Sequence, residues 1–501
     1  MDKKEIILDG KSLTIEEIRE VAENEATVTI STKSRERIRA ARALIFRMDQ
    51  RGEAVYGLNM GVGWNKDRQV KECFYPEYNA NLLRSHMIGV NPECTMQEVR
   101  GSMVIRLNKM ACGHTGVAEE IPAYLEALLN LGITPVLKKR GSIGEADIGT
   151  LSGIGLAMIG EGEVFYQGER LPAMEALLMA GLKPLQLGPK DGLGIVSSNA
   201  QSAAFASLCV SEMQYLLDTL DLIFCLSLEA FHGVVHPLDE SVNAVRGFRG
   251  QLQSVSNCNM NLKGSYLFGS GEGKALQDPL SFRSHCAVMG AVRDALHFLK
   301  QQLLLELNSS DDNPCLLPEQ DRAAGSSNFE PLAWVLPMEM LGIGLMHLSR
   351  MMVNRMLRLA DPAFTKLSRF LSPKEENVIA FSTLQKTFTA LDTENRLLAA
   401  PSSFDYTAVA GQIEDHASNA GFAVLKIERM LDNLTYMAGI ELLHGAQAID
   451  LRKPDTMGEK TKPLFENYRK EIPFLKKDRN LSVDIQRSYD FIKKIRKNRW
   501  N

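Results

Sequence analysis

Two glycine-rich segments carry side chains that can take up or release a proton. Tyr56 lies in AVYGLNMGVGWN, and it is a candidate base if its surroundings lower its pKa from the usual value of about 10. Glu145 and Asp147 lie in GSIGEADIGTL, where each carboxylate is a candidate acid or base. Each residue also has a structural interpretation, because loop tyrosines pack and carboxylates cap helices or are solvated. We expect acid/base chemistry at a pocket built from these loops.

Residues 139–162 predict a tight loop that runs directly into an apolar helix. Gly141 and Gly144 suit a turn that is pressed against neighbouring atoms, and Asp147 is placed to cap the helix that follows. Gly153 and Gly155 would each cost this helix about 1 kcal/mol relative to alanine. We therefore expect the backbone of another segment to pack closely against them.

The rest of the chain is read mainly as helices. Residues 5–8 predict a strand, a helix begins near Leu13, and the segments 51–78, 163–167 and 191–201 predict loops and short strands. Shorter helices are predicted at residues 32–50, 79–90, 96–112 and 117–131, and long helices at 200–230, 281–308, 331–359, 375–399 and 411–450. The pattern predicts a mainly α protein, with a mixed, loop-rich domain at 1–200 and a long-helix bundle with a C-terminal helical region at 201–501.

Composition argues against several classes of protein. A net charge of -4 gives no sign of a nucleic-acid partner, and the apolar run at 205–231 is interrupted by acidic residues that a lipid-facing helix would not carry. Eight cysteines without CxxC spacing favour reduced thiols over a disulfide framework or a zinc site. With no apolar leader at residues 1–13, we expect a cytoplasmic protein with no metal.

Seven segments in order resemble motifs of the histidine and aromatic amino acid ammonia-lyase family, across nearly the whole chain. The family's forms include YGxNTGFG, LxxSHxxG, QDxYSxR, ExNxxxDNP, SGGNF and QEDHVS. The matching segments are 55–63 (VYGLNMGVG), 83–89 (LRSHMIG), 276–283 (LQDPLSFR), 306–314 (ELNSSDDNP), 325–329 (GSSNF), 412–418 (QIEDHAS) and 441–452 (ELLHGAQAIDLR). The resemblance implies an ammonia-lyase-like fold and a homotetramer whose pockets combine residues from several subunits.

The family's electrophile is a methylidene-imidazolone, which forms when an Ala-Ser-Gly tripeptide cyclises and loses water. The family's GSxGASGDLAPL is replaced here by GSIGEADIGTL at residues 141–151, which is one residue shorter and lacks the serine that supplies the methylidene carbon. Leu280 replaces the family's second catalytic tyrosine, and Met60 replaces the threonine of the tyrosine loop. We therefore predict that the chain carries no such cofactor.

Much of the family's pocket is nevertheless retained. Tyr56 matches the general base, and Arg283 matches a residue that would bind a carboxylate in bidentate fashion. Glu145 would place an acid where the electrophile is missing, and we predict Tyr56, Glu145 and Asp147 as catalytic. By resemblance, the predicted substrate-binding residues are Asn59, His86, Ser198, Asn199, Gln277, Leu280, Arg283, Asn313, Phe329 and Glu414.

Three functions stay open. The first is an enzyme without the electrophile that uses Tyr56 for elimination, isomerisation or cyclisation of a small carboxylate, ketone or thioester, free or carrier-bound. The second is an inactive relative that acts as a binding or assembly subunit. The third is a true ammonia-lyase with an unusual electrophile.

Overall fold

The structure, a computed structural model, describes residues 3–269, 273–373 and 377–497. Helices dominate it, as predicted. In chain order they are α1 (Ile15–Ala22), α2 (Thr32–Gln50), α3 (Tyr75–His86), α4 (Met96–Ala111), α5 (Glu120–Leu131), α6 (Ile148–Met158), α7 (Ala173–Met179), α8 (Asp191–Val196), α9 (Ala200–Phe231), α10 (Glu240–Ala244), α11 (Arg249–Leu262), α12 (Leu280–Arg283), α13 (His285–Leu307), α14 (Leu332–Leu359), α15 (Pro362–Thr365), α16 (Leu384–Leu398), α17 (Ala420–Arg452), α18 (Thr461–Glu471) and α19 (Leu481–Lys497).

The strands are short and form four small sheets among the described residues. Two strands pair in parallel, β1 (Lys4–Leu8) and β2 (Ala26–Ile30). The remaining pairs are antiparallel: β3 (Val90–Glu93) with β5 (Lys138–Arg140), β4 (Thr134–Pro135) with β6 (Glu163–Tyr166), β6 with β7 (Glu169–Pro172), and β8 (Cys315–Leu317) with β9 (Arg322–Ala324).

Local chemistry sets several helix starts. Thr14 accepts a hydrogen bond from the backbone N–H of Glu17, whose carboxylate accepts from the backbone of Thr14, so the predicted helix α1 begins with a capping box. Thr95 and Glu98 form the same arrangement at the start of α4.

The structure corrects four predicted elements. The helix predicted from residue 411 begins at Ala420, because Ala410, Gly411 and Gln412 have positive φ values that no right-handed helix accepts. The helix predicted at 375–399 begins at Leu384, after a turn through positive φ at Ala380; residues 374–376 lie outside the described residues. The helix predicted at 281–308 is divided at Ser284 into α12 and α13. The loop predicted at 191–201 contains the short helix α8, whose six residues are all buried, so burial outweighs its glycines.

The glycines of α6 make room for side chains, whereas we predicted a neighbouring backbone. A Cβ at Gly153 would lie 2.5 Å from Leu137 Cδ2, and one at Gly155 would lie 2.7 Å from Leu83 Cδ1. The close packing itself is present, but it comes from leucine methyl groups.

Close backbone contacts divide the chain into two units. Unit 1 comprises residues 1–211, 299–338 and 401–425; unit 2 comprises 212–298, 339–400 and 426–501. The predicted boundary at residue 200 stays a prediction about domains, yet residues 201–501 do not group as one unit. Three of the later divisions fall inside the long helices α13, α14 and α17, which shows why a change of sequence character could not mark them.

A largely buried ionic network holds unit 1 together. Lys109 contacts Glu306 at 2.6 Å and Asp311 at 3.0 Å, while Arg106 reaches Asp312 at 3.0 Å. Burial opposes the charge on Lys109, but the carboxylates of Asp311 and Glu306 raise the pKa of its ammonium group overall. Each buried charge therefore depends on its partners.

The buried network of unit 2 explains the acidic residues within the apolar run at 205–231. Asp221 accepts hydrogen bonds from His285, Ser254 and Arg293. By length and composition, residues 191–231 and helix α14 are long and apolar enough to span a membrane. However, 94% of the most apolar 18-residue stretch of the first and 56% of that of the second is buried inside the protein. The first value fits the core helix of a globular protein better than a lipid-facing one.

Removing the buried ammonium group should destabilise the protein strongly. We expect Lys109→Met to lower the free energy of unfolding by about 3–5 kcal/mol, because Glu306 and Asp311 lose their counter-ion. Lys4→Met, which removes an exposed ion pair with Glu20, should cost at most about 1 kcal/mol. Urea unfolding of both variants measures the difference, and equal losses would contradict this account of the network.

Candidate active site

Tyr56 lies half-buried in the loop before α3, where its hydroxyl accepts a hydrogen bond from the backbone N–H of Gly63 at 2.7 Å. Glu414 is close by, since a Cβ on Gly63 would be 3.8 Å from its Oε1 atom. Burial raises the pKa of Tyr56, the Gly63 N–H opposes that rise, and the charge of Glu414 adds to it. The position suits a base, but the neighbours do not lower its pKa as a neutral-pH base requires.

Asn59 holds the tyrosine loop in shape. Its amide donates to Asp49 Oδ1 and to the carbonyl of Glu53, and its oxygen accepts from the N–H of Val55. Every one of these partners lies within unit 1, near the loop itself. Asn59 therefore positions Tyr56, and the predicted contact with a substrate stays a prediction.

The segment after β5 is fixed through its backbone. The N–H of Ala146 donates to Asn199 Oδ1 at 3.1 Å, and the N–H of Asp147 donates to the carbonyl of Ser198 at 2.7 Å. Asn199 also donates to the carbonyl of Phe329. Four residues predicted from separate segments, Asp147, Ser198, Asn199 and Phe329, thus meet at one loop.

We predicted that Asp147 caps α6, but it does not. Its side chain makes no capping bond to that helix; it accepts instead from the backbone N–H of Ser202 at 2.8 Å, in the first turn of α9. Ser142 and Ser202 also donate their hydroxyl groups to it, each at 2.7 Å. Burial raises its pKa and these hydrogen bonds oppose the rise. With 1% of its surface exposed, Asp147 ties the start of α6 to the first turn of α9, and its predicted catalytic role stays a prediction.

Glu145 belongs to a cluster of three carboxyl groups and one imidazole, named here the acid cluster: Glu145, Glu330, Glu414 and His416. One side-chain oxygen or nitrogen atom from each of Glu145, Glu330 and His416 lies within 4.8 Å of the other two. His416 Nε2 is 3.3 Å from Glu330 Oε2. Burial, a hydrogen bond to Glu330 and the charges of Glu330 and Glu414 raise the pKa of Glu145 to about 9. At neutral pH, Glu145 therefore keeps its proton, which lies in the hydrogen bond between Glu145 and Glu330.

The other predicted residues are placed as follows. His86, at the end of α3, bonds through Nδ1 to the carbonyl of Leu82, and Asn313 accepts from the N–H of Ser326. In unit 2, Arg283 donates to Gln277 at 2.6 Å, and Leu280 is 65% exposed. The predicted roles of these five residues in substrate binding stay predictions.

The sequence did not indicate Glu330 or His416. Glu330 directly follows the GSSNF segment, and His416 lies two residues after Glu414, so both were next to motifs without being part of a predicted role. Residues on different loops reveal a shared cluster only when the loops are brought together. Their adjacency to matched motifs was the available signal.

At Gly144, the glycine-rich loop that carries Glu145 contacts the loop at residues 418–420. Gly144 has a φ of +87°, and a Cβ there would lie 2.3 Å from Ser418 Oγ and 2.7 Å from the N atom of Ala420. Ser418 donates to the carbonyl of Gly144, and the N–H of Asn419 donates to the carbonyl of Ile143. Only glycine leaves room for this contact.

A tyrosine loop, a backbone-anchored glycine loop and an acidic loop on a mainly helical scaffold define a lyase of the amino-acid type. A family model described as aromatic amino acid lyase matches residues 13–470. The chain belongs to that family.

Relatives and solved structures agree with this assignment. The chain is 33% identical to histidine ammonia-lyase of Anaeromyxobacter dehalogenans, covering 96% of this chain and 97% of the relative. It is 49% identical to the ergothioneine-degrading enzyme ergothionase from Treponema denticola, solved in complex with desmethyl-ergothioneine sulfonic acid, with a TM-score of 0.96 over 98% of this chain and 99% of that one. Histidine ammonia-lyase from Trypanosoma cruzi is 27% identical, with a TM-score of 0.89 over 98% and 93%. The predicted ammonia-lyase fold is confirmed.

The contact at Gly144 should be sensitive to one added methyl group. We expect Gly144→Ala to release residues 401–419 from the loop, because the new Cβ collides with Ser418 and the N atom of Ala420. Limited proteolysis should then cut 401–419 faster than in the wild type. Gly162→Ala is the matched control: its φ is +78°, so it carries about the same 1–2 kcal/mol of backbone strain, but no atom lies within 4 Å. Equal protection in both variants would show that the contact does not hold the loop.

Proposed function

We propose that this chain is a lyase that eliminates trimethylamine from ergothioneine, or from a close quaternary-ammonium relative, without a methylidene-imidazolone. The observation that carries the proposal is the loop at 145–147, Glu-Ala-Asp, where the family's electrophile would form. The 49% identity to an ergothioneine-degrading enzyme over nearly the whole of both chains supports the choice of substrate.

The residues of this loop do not fit the electrophile. Ala146, in the middle position, has no hydroxyl or thiol that could leave to give the methylidene carbon. The backbone N–H of Ala146 donates to Asn199 Oδ1, and that of Asp147 donates to the carbonyl of Ser198. No step proposed below passes through such a group.

The chemistry of the leaving group explains how a lyase could do without it. Ammonia is a poor leaving group, and covalent capture of an amino group by an electrophile improves it. Ergothioneine is the trimethylammonium betaine of 2-thiohistidine, and its nitrogen departs as neutral trimethylamine. The leaving-group activation that an amino acid needs from the electrophile is therefore already present in this substrate.

Tyr56 is the proposed base. The phenolate takes the β-proton, the C–H electron pair forms the Cα–Cβ double bond, and the Cα–N bond breaks with its electrons passing to nitrogen. The products are trimethylamine and a 2-thioimidazole acrylate. The N–H of Gly63 stabilises the phenolate by donating to its oxygen.

The proposal extends to the assembly. Homotetramers would bring Arg283 and Gln277 of one copy to the tyrosine loop of another, where the guanidinium group could bind the substrate's carboxylate.

A cytoplasmic location and a carrier-bound or thioester substrate stay untested predictions. The histidine ammonia-lyase relatives keep one alternative open, which the mass of the protein decides.

Intact mass tests the loop chemistry directly. We expect the purified chain to have the mass of its unmodified sequence. Formation of the electrophile removes two water molecules, so a deficit of that size would contradict the proposal and favour an ammonia-lyase. Denaturing electrospray measurement of the full chain is sufficient, and absorbance spectra of the native protein provide an independent check.

Turnover tests the reaction and the base together. We expect the wild type to release trimethylamine from ergothioneine, and Tyr56→Phe to lower kcat/KM by about 10²- to 10⁴-fold, the range of general-base catalysis. Since burial raises the pKa of Tyr56, only a small fraction is phenolate at neutral pH, and kcat/KM should increase with pH. Tyr124→Phe alters another tyrosine of unit 1 whose pKa burial raises, and it serves as the control. Unchanged turnover in Tyr56→Phe would exclude Tyr56 as the base.

A further inference from the structure

The unusual feature of the site is that, among the residues the structure describes, its negative charge has no fully buried cation beside it. In the deep network of unit 1, Lys109 and Arg106 offset the charges of Asp311 and Asp312. The acid cluster brings together three carboxyl groups, and His416, whose side chain is 49% exposed, lies against one of them. Carboxylates gathered in this way repel one another unless a proton or a cation lies between them.

Hydrogen bonding leaves part of this charge unsatisfied. Within the described part of the chain, no hydrogen-bond donor reaches the buried atoms Glu145 Oε1 and Glu330 Oε2, although His416 Nε2 lies 3.3 Å from the latter. The other oxygen of Glu330 accepts from the backbone N–H of Leu332 at 2.9 Å. Buried carboxylate oxygens in this state are costly, and a ligand cation would lower that cost.

Aromatic rings lie next to the same groups. The ring of Tyr406 meets the ring of His416 edge-on, with centroids 5.3 Å apart. Trp64, 70% exposed, lies against Gly411, where a Cβ would be 2.7 Å from its ring. Aromatic faces and carboxylates together are the surroundings that bind quaternary ammonium groups, which have no N–H to donate.

We infer that Glu145 and Glu330 form the subsite for the positively charged leaving nitrogen of the substrate, and that the proton they share passes to solvent when the cation binds. The inference rests on the proposed function for the identity of that cation. It gives Glu145 a role in specificity: the chain selects substrates that carry a permanent positive charge.

The proton accounts for a dependence on pH. Glu145 is faced by Glu330, Glu414 and His416, and Glu414 also interacts with Tyr56. Glu145 keeps its proton until the pH approaches about 9. Because one proton must leave, the affinity for a cation should increase by up to about tenfold per pH unit over this range.

Two non-reactive probes test the subsite without relying on turnover. Glycine betaine has a trimethylammonium group but no β-proton. In 3,3-dimethylbutanoate, which has the same shape, a carbon atom replaces that nitrogen, so the positive charge is absent. Calorimetry in two buffers of different ionisation enthalpy measures binding and proton release. We expect the wild type to prefer the betaine, to release close to one proton with it, and to show the increase with pH for the betaine alone.

Glu145→Gln and Glu330→Gln keep the shape of the site and remove a charge. Each should weaken betaine binding by at least tenfold and abolish proton release, while leaving the affinity for dimethylbutanoate unchanged. A purely structural role would weaken both probes equally. Glu169→Gln, an equal change of charge at an exposed position of β7, should alter neither.

The results also separate this inference from the proposed function. If the wild type releases trimethylamine from ergothioneine and Glu145→Gln retains its KM and pH profile, the subsite is wrong and the function stands. If ergothioneine is not a substrate but the betaine is preferred with proton release, the subsite stands alone. A stoichiometric divalent metal in the purified protein, bound by Glu145, Glu330 and His416, would overturn the inference.

Discussion

The site depends on one buried carboxylate, Asp311. Lys109 neutralises it from one side, and on the other it accepts from the hydroxyl of Ser198 and the backbone N–H of Asn199. Asn199 in turn holds the N–H of Ala146. A charge that cannot leave the interior thus fixes, through two short steps, the loop on which the chemistry is proposed to take place.

Unit 1 uses charge in two contrasting ways. Deep in the unit, the ammonium group of Lys109 lies between Glu306 and Asp311, and the result is rigidity. At the acid cluster, Glu145 and Glu330 offset their repulsion by sharing a proton, and the result is a group that responds to what approaches it. The first arrangement needs nothing from outside, whereas the second is complete only with a proton or a cation.

The sequence predicts the helical fold, the family and the loops, because helical periodicity and ordered motifs are local signals. Ser198, Asn199 and Phe329, which it predicts as site residues, meet at the loop that carries Ala146 and Asp147. It misses the target of Asp147, since a carboxylate beside a helix start can equally cap a different helix that packs there. Glu330 and His416 were missed because their significance arises from distance in space, not from spacing in the chain.

The anchoring of residues 145–147 has an evolutionary consequence. Asn199 and Ser198 hold this loop by its backbone N–H groups, so the attachment does not depend on which side chains the loop carries. A scaffold of this kind can exchange one reactive group for another through a few substitutions while its fold and its supporting contacts are inherited unchanged. New chemistry then begins from a protein that already folds, and the first selectable trait is the choice of substrate.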